Sequence, residues 1–377
     1  MYYLAGDIGG TKALLQLIKL EPEPNAETAT TSIECLGQQR YLCSEFDSLE
    51  SIISTFLTSF KIPNLIIQSA CFGLPGPVNS RKVQLTNLPW VVDANKLEQA
   101  CSIDVVHFVN DFYAAALGVD TLQEGELIPL FLPQEKNLSG DKNNHAEVLG
   151  NRIVIGAGTG LGVAPVFYDG VSFLPQSSEG GHFDFAPISE TQQLLLNWLW
   201  QKWEHVSYER VLSGPGLEEL YRFFLHTKVP NSYSQTNSQN INKNKIFTIQ
   251  NKHLGLDFAE MDFEQPSNSL NAQQISLAAE QGDTIAVQAL TEFVTIYGAF
   301  VGAVALVWNA PNGIYLAGGI AVKIIDWMKL PFFEKAFLEK GRMTKVVASM
   351  PIYLVSDETL GLRGAMRQNQ ILSNFQT

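Results

Sequence analysis

Gly6-Asp7-Ile8-Gly9-Gly10-Thr11-Lys12 stands near the start of the chain, between two runs of strand-forming residues. A counterpart, Gly156-Ala157-Gly158-Thr159-Gly160-Leu161-Gly162, lies deep in the sequence between Arg152-Ile153-Val154-Ile155 and Val163-Ala164-Pro165-Val166-Phe167. Two glycine turns, each joining two strands, point to two similar half-molecules. Without β-carbons, such turns let backbone N–H groups converge on an anion at close range, and phosphate is the usual anion. Neither stretch reads G-x-x-x-x-G-K-[ST] or G-x-G-x-x-G. Residues Lys12 to Ile18 alternate in part between apolar and polar and carry no helix signal, which disfavours a P-loop and a dinucleotide site alike. Either turn alone reads as a tight hairpin. The pair, each with a threonine at its tip, reads as a phosphate grip.

The chain has 377 residues, of which 46% are hydrophobic and 17% charged, enough for two or more domains with their own cores. Its net charge of −13 argues against nucleic acid or an anionic membrane as a partner. A phosphate ligand would therefore need local backbone donors and a divalent cation. Cysteines at 35, 43, 71 and 101 form no C-x-x-C pair, as expected of reduced thiols in a cytoplasmic protein. The N-terminus enters the first strand with no basic stretch and apolar core before it, so no signal peptide is expected. The longest apolar run, Phe293 to Trp308, carries Thr295, Gly298 and Gly302; it is short for a membrane span and fits a buried helix better than a subunit interface.

Short apolar strands alternate with helical patterns along the chain, the signature of an α/β fold. A strand from Leu65-Ile66-Ile67 leads through Ala70 to Gly73 and closes on Leu74-Pro75-Gly76-Pro77. Val105 to Val109 is a second, and a helix begins at Phe112. Leu217, Leu220, Tyr221 and Phe224 have helical spacing after a turn at Ser213-Gly214-Pro215-Gly216, and Gly313 to Ala317 is a strand that closes on Gly318-Gly319. Two polar segments, Gln134 to Asn151 and Thr227 to Lys252, read as surface insertions.

Candidate chemistry sits at Asn110-Asp111, where a carboxylate at a strand-to-helix switch can project from the end of a sheet. Asp111 is also a good helix cap, and local sequence alone favours capping. A second cluster is Ser177-Ser178-Glu179-Gly180-Gly181-His182, whose paired glycines let Glu179 and His182 face one ligand; a histidine bonded within its own loop is the plainer alternative. Glu209 reads equally as a first-turn carboxylate. Together these residues make an acceptor-rich, cation-poor set suited to hydroxyl groups.

With these motifs in view, the chain resembles the bacterial glucokinases of the sugar-kinase, heat-shock-protein and actin superfamily. The resemblance runs in order through Gly6 to Thr11, Thr86-Asn87-Leu88-Pro89-Trp90, Asn110-Asp111-Phe112, Gly156 to Gly162, Glu179 to His182, Glu209-Arg210-Val211-Leu212-Ser213-Gly214-Pro215-Gly216 and Ala317-Gly318-Gly319-Ile320. It implies two actin-like (ribonuclease H-like) α/β domains with a ligand cleft between them, a small one of residues 1–120 plus 356–377 and a large one of residues 121–355. Gly6, Asp7, Ile8, Gly9, Gly10 and Thr11 would form the first phosphate loop and Gly158, Thr159 and Gly160 the second, on ATP. Ser213, Gly214, Gly216, Gly318 and Gly319 would flank the adenosine. Asn110, Asp111, Glu179, His182 and Glu209 would hold glucose, with Asp111 accepting the proton of the 6-hydroxyl and Asp7 acting on Mg²⁺ through water. The reaction implied is transfer of the γ-phosphoryl group of ATP to glucose.

Related repressor-kinase proteins carry a cysteine-rich zinc motif after the equivalent of His182; here Phe183-Asp184-Phe185-Ala186-Pro187 follows, so no zinc site is expected. Lys12 reads as a solvated strand residue in preference to a phosphate ligand. A kinase for mannose, fructose or an amino sugar would share the fold and Asp111. An actin-like structural protein would need no polyol cluster, and a homodimer stays open.

Overall fold

Alternating apolar residues set the first strands, and the computed structural model describes residues 1–22, 31–85, 88–133, 149–227 and 270–373. In chain order the strands are β1 (Tyr2–Ile8), β2 (Lys12–Pro22), β3 (Thr31–Leu42), β4 (Ser69–Leu74), β5 (Lys82–Gln84), β6 (Val91–Asp93), β7 (Val106–Asn110), β8 (Leu127–Phe131), β9 (Arg152–Ala157), β10 (Leu161–Tyr168), β11 (Phe173–Pro175), β12 (Ile314–Ala317) and β13 (Ile352–Val355). One sheet has the order β3-β2-β1-β4-β7, and the other β11-β10-β9-β12-β13-β8. With β8 set aside, each sheet places its third, second, first, fourth and fifth strands side by side. In this count the first two strands form an antiparallel hairpin, and the fourth and fifth run parallel to the first beside it. The two half-molecules expected from the glycine turns are thus one topology used twice, with β8 added antiparallel at the edge of the second sheet.

The C-terminal helix Leu360–Leu372 returns to the first sheet. Asn369 is buried there, and its amide donates to the Leu4 and Ser69 carbonyls, 3.1 Å each. The short helix Asp111–Gly118 lies between the two sheets. Ala114 packs with Leu362, Ala365 and Met366 of the C-terminal helix, while Ala115 and Ala116 pack with Val154, Ala164 and Tyr315 of the second sheet. A run of alanines suits a helix buried on both sides, because a small side chain lets backbones approach.

Several elements differ from the sequence reading. The strand expected from Leu65 begins at Ser69, with Ile67 making an isolated bridge to Ile103. The helix after Ser213 starts at Gly214, so the Gly-Pro-Gly segment is its first turn, not a separate turn before it. The apolar run at Phe293 belongs to a helix of 25 residues, Thr284–Trp308, long and apolar enough by composition to cross a membrane. Its placement is settled by packing: 78% of its most apolar window is buried, in the core of the second sheet's side. All four cysteines are free. The polar segments lie mostly outside the described residues, as do Thr86 and Asn87.

Candidate active site

Strand β7 delivers Asn110 and Asp111 to the gap between the sheets. The cap is Asn110: its side-chain oxygen accepts from the Phe112 and Tyr113 N–H groups at 3.0 Å each, and its amide donates to the Gly76 carbonyl at 3.2 Å. This corrects the capping role considered for Asp111. Relieved of it, Asp111 occupies the first helical position and accepts one backbone bond, from Phe112 N–H at 2.9 Å.

Asp111 lines a cavity of about 350 Å³ with Asp7, Gly9, Gly10, Thr11, Lys12, Thr159, Gly318 and Gly319. Burial, then the charge of Asp7 and that of Glu179, outweighs the Phe112 N–H and pushes the Asp111 carboxyl up to about 7. Asp7, at the end of β1, is pushed up to about 6, by burial against a smaller opposing pull from Arg40. Two carboxylates thus share one wall, where the charge of Asp7 raises the cost of ionising Asp111.

Each hairpin tip is closed by one short backbone bond, Gly9 N–H to Lys12 O and Gly158 N–H to Gly160 O, both 2.8 Å. Among the described residues the N–H groups of Gly10, Thr11 and Thr159 have no backbone partner, which leaves donors for an anion at both tips. Gly318 takes φ +90°, and a β-carbon there would meet the Ala157 carbonyl at 2.7 Å. Only glycine fits between β12 and the second hairpin. Gly214 N–H donates to the Gly158 carbonyl at 2.8 Å, tying the Ser213 segment to the second tip, and Ser213 Oγ accepts from Gly216 N–H at 3.1 Å. Gly6 and Ile8 are strand residues buried in β1, so Ile8 has only its backbone to offer, and Gly6 admits the Phe72 ring.

The proposed sugar ligands gather around the start of β10. Glu209 accepts from Leu161 N–H at 2.9 Å and stands 3.9 Å from His182 Nε2. Gly180 and Gly181 turn the chain tightly beside β10, where Ser178 Oγ accepts from Gly180 N–H at 3.0 Å. Asn110, Glu179, His182 and Glu209 are not part of the cavity wall that holds Asp111. Sequence reasoning missed Arg40, Lys323, Asp357 and Glu358, all of which line that wall. Arg40 lies opposite Leu14 in the β2–β3 register, and a strand arginine in a polar run carries no local mark of a site. The cavity therefore holds three cations, Lys12, Arg40 and Lys323, despite the chain's net negative charge. Four carboxylates, Asp7, Asp111, Asp357 and Glu358, line the same wall, so these cations give it no net positive charge.

Comparison with known proteins gives these features a family. A glucokinase of Nostoc punctiforme is 32% identical over 366 residues, 96% of this chain and 97% of its own length. The crystal structure of a glucokinase from an Antarctic psychrotroph superposes with a TM-score of 0.70 at 26% identity, covering 98% of this chain and 99% of that one. The fold is also that of a ROK family glucokinase from Streptomyces griseus in complex with glucose and AMPPNP, with a TM-score of 0.55 at 19% identity over 98% of this chain and all of that one. The profile of the family described as Glucokinase matches residues 4–370, a span that takes in both hairpins and both cavity aspartates, and the chain belongs to that family.

Proposed function

We propose that this chain transfers the γ-phosphoryl group of ATP to the 6-hydroxyl of glucose, with Asp111 as general base. The observation that carries the reading is a half-buried carboxylate, its pKa raised toward neutrality, on the wall of a cavity bounded by two glycine hairpins. Relatives named glucokinase over nearly their whole length support glucose and ATP as the substrates.

A primary alcohol is a weak nucleophile. Asp111 orients the hydroxyl and takes its proton as the oxygen–phosphorus bond forms and the bond from γ-phosphorus to the bridging oxygen breaks, a contribution of roughly 10²–10⁴-fold. The remainder comes from positioning and from charge on the transferred group. Gly10, Thr11 and Thr159 would donate backbone hydrogen bonds to it, and Lys12, Arg40 and Lys323 would face the polyphosphate. Ser213, Gly214, Gly216, Gly318 and Gly319 would flank the adenosine, while Asn110, Glu179, His182 and Glu209 would bind sugar hydroxyls.

Magnesium fits the donor set. Asp7 is a half-buried carboxylate with no ion pair among the described residues, and no cluster of three His, Cys, Asp or Glu side chains there could enclose a metal alone. Such a site suits a cation held largely by phosphate and water, which neutralises charge on the polyphosphate when bound, with Asp7 reaching it through water. We read the two sheets as two domains, residues 1–120 with 356–377 and residues 121–355, on the strength of the C-terminal helix stitched into the first sheet by Asn369.

The test is a coupled assay of ATP-dependent phosphorylation across glucose, mannose, fructose and amino sugars. Glucose should have the highest kcat/KM, and Asp111→Asn should bind glucose but lose most of kcat. Preference for another hexose would overturn the substrate, and near-normal turnover of the Asn variant would remove Asp111 from the mechanism.

A further inference from the structure

Gly156 and Gly162 face each other across the β9–β10 ladder. A β-carbon on Gly162 would lie 1.9 Å from two ring carbons of Phe112, and one on Gly156 would lie 2.8 Å from the tip of the same ring. Side chains do not approach so closely, so the paired glycines form a bare seat for one aromatic ring. That ring belongs to the residue following Asp111. Its N–H donates to Asp111 Oδ1, and its side chain both lines the cavity and packs on the apolar cluster between the sheets.

We propose that Phe112 is a positioning residue for phosphoryl transfer: seated on the Gly156–Gly162 pair, it holds the helix that carries Asp111 in register with the second hairpin. The proposal rests on Asp111 being the base. Phosphoryl transfer needs the base and the phosphate-gripping hairpin in one geometry, yet β7 brings Asp111 from one sheet and β9–β10 build the hairpin in the other. A displacement of about 1 Å costs on the order of 100-fold in rate. A ring seated against a glycine pair resists that displacement, because moving it off the seat opens a void. The ring also helps keep water from Asp111, as the two share the cavity wall.

Four variants test this in the full chain: Phe112→Leu, Phe112→Ala, Gly162→Ala and the double Phe112→Ala/Gly162→Ala. With folding checked by circular dichroism and thermal melting, Gly162→Ala and Phe112→Ala should each lower kcat by about 100-fold while KM for glucose changes by less than about threefold. Phe112→Leu, which keeps most of the apolar volume but not the ring's shape, should fall between them and the parent. In the Phe112 variants the acidic limb of kcat/KM should move to lower pH as water reaches Asp111. The double variant should lose no more than either single, about 100-fold and not the roughly 10⁴-fold of two independent losses, because both changes break the same contact. The idea is overturned if folded Phe112→Ala and Phe112→Leu keep the parent's kcat and pH limb while Asp111→Asn is inactive. It is overturned equally if the Gly162→Ala loss lies wholly in the folded fraction. An active Asp111→Asn would instead defeat the reading of the base on which the proposal stands.

Discussion

At the residue scale the site is a conflict between ionisation and burial. Asp7 and Asp111 are held protonated to about 6 and about 7, whereas an unfolded aspartate ionises near the ordinary value of 3.8. Between those values the folded chain binds more protons than the unfolded one, so stability falls as pH rises from about 4 to 7. Asp111→Asn removes part of that cost. In ligand-free urea unfolding at pH 8 it should be more stable than the parent by on the order of a few kcal/mol, with the gain disappearing as pH approaches 4. A variant less stable than the parent at pH 8 would contradict the burial argument. The same carboxyl sets the activity profile: kcat/KM for glucose should climb with pH and level off above about 7, since a base must be ionised to act. Aspartate identity was readable from the motif, but its raised pKa was not, because burial and the charge of Asp7 arise only when β1 and β7 come together in space.

At the element scale, two helices meet almost backbone to backbone. A β-carbon on Gly364 of the C-terminal helix would lie 1.6 Å from the Ala114 carbonyl, and one on Gly118 would lie 2.2 Å from the Leu360 carbonyl. Gly364→Ala must push the helices apart and should cost about 1–3 kcal/mol, read as a lowered Tm, with a fall in kcat because Asp111 rides on the displaced helix. An unchanged Tm would mean the crossing is looser than described. Beside it, Arg363 gathers the connections between the sheets: it donates to both oxygens of Glu126, to Asp357 Oδ2 and to the Thr121 carbonyl at 2.6–3.0 Å. Arg363→Met leaves those acceptors unanswered in a half-buried place and should destabilise by about 1–3 kcal/mol. Equal urea midpoints for variant and parent would count against the clasp. Neither feature was legible. Periodicity marks which face of a helix is apolar, while the distance between two helices 240 residues apart depends on which glycines the topology sets opposite each other. The hairpins, by contrast, were legible from their glycines and the strand-forming runs on either side.

At the scale of the whole molecule, a repeated topology brings one glycine tip from each sheet to a single cavity, which is why two weak local signals became strong as a pair. Charge is arranged in the same way: net −13 overall, with Lys12, Arg40 and Lys323 turned to the cavity. Arg40 already pairs with Glu358 at 3.3 Å across the mouth. Both groups are largely exposed, so that pair contributes little and can yield to a polyphosphate. Of the residues read as sugar ligands, Glu179, His182 and Glu209 lie on the side of the second sheet, outside the wall that holds Asp111, and His182 is more than half exposed. For one ligand to meet both sets the sheets must draw together, turning about the crossing at Gly118 and Gly364, with Phe112 kept on its seat. Glucose with a non-hydrolysable ATP analogue should therefore reduce the radius of gyration in X-ray scattering. It should also slow amide exchange at residues 158–162 and 179–182, and each ligand alone should produce less of both effects. Closure excludes water, so it also limits ATP hydrolysis in the absence of sugar. If scattering and exchange stay at their unliganded values when turnover-competent concentrations of both ligands are bound, the cleft is preformed and His182 must lie outside the sugar site.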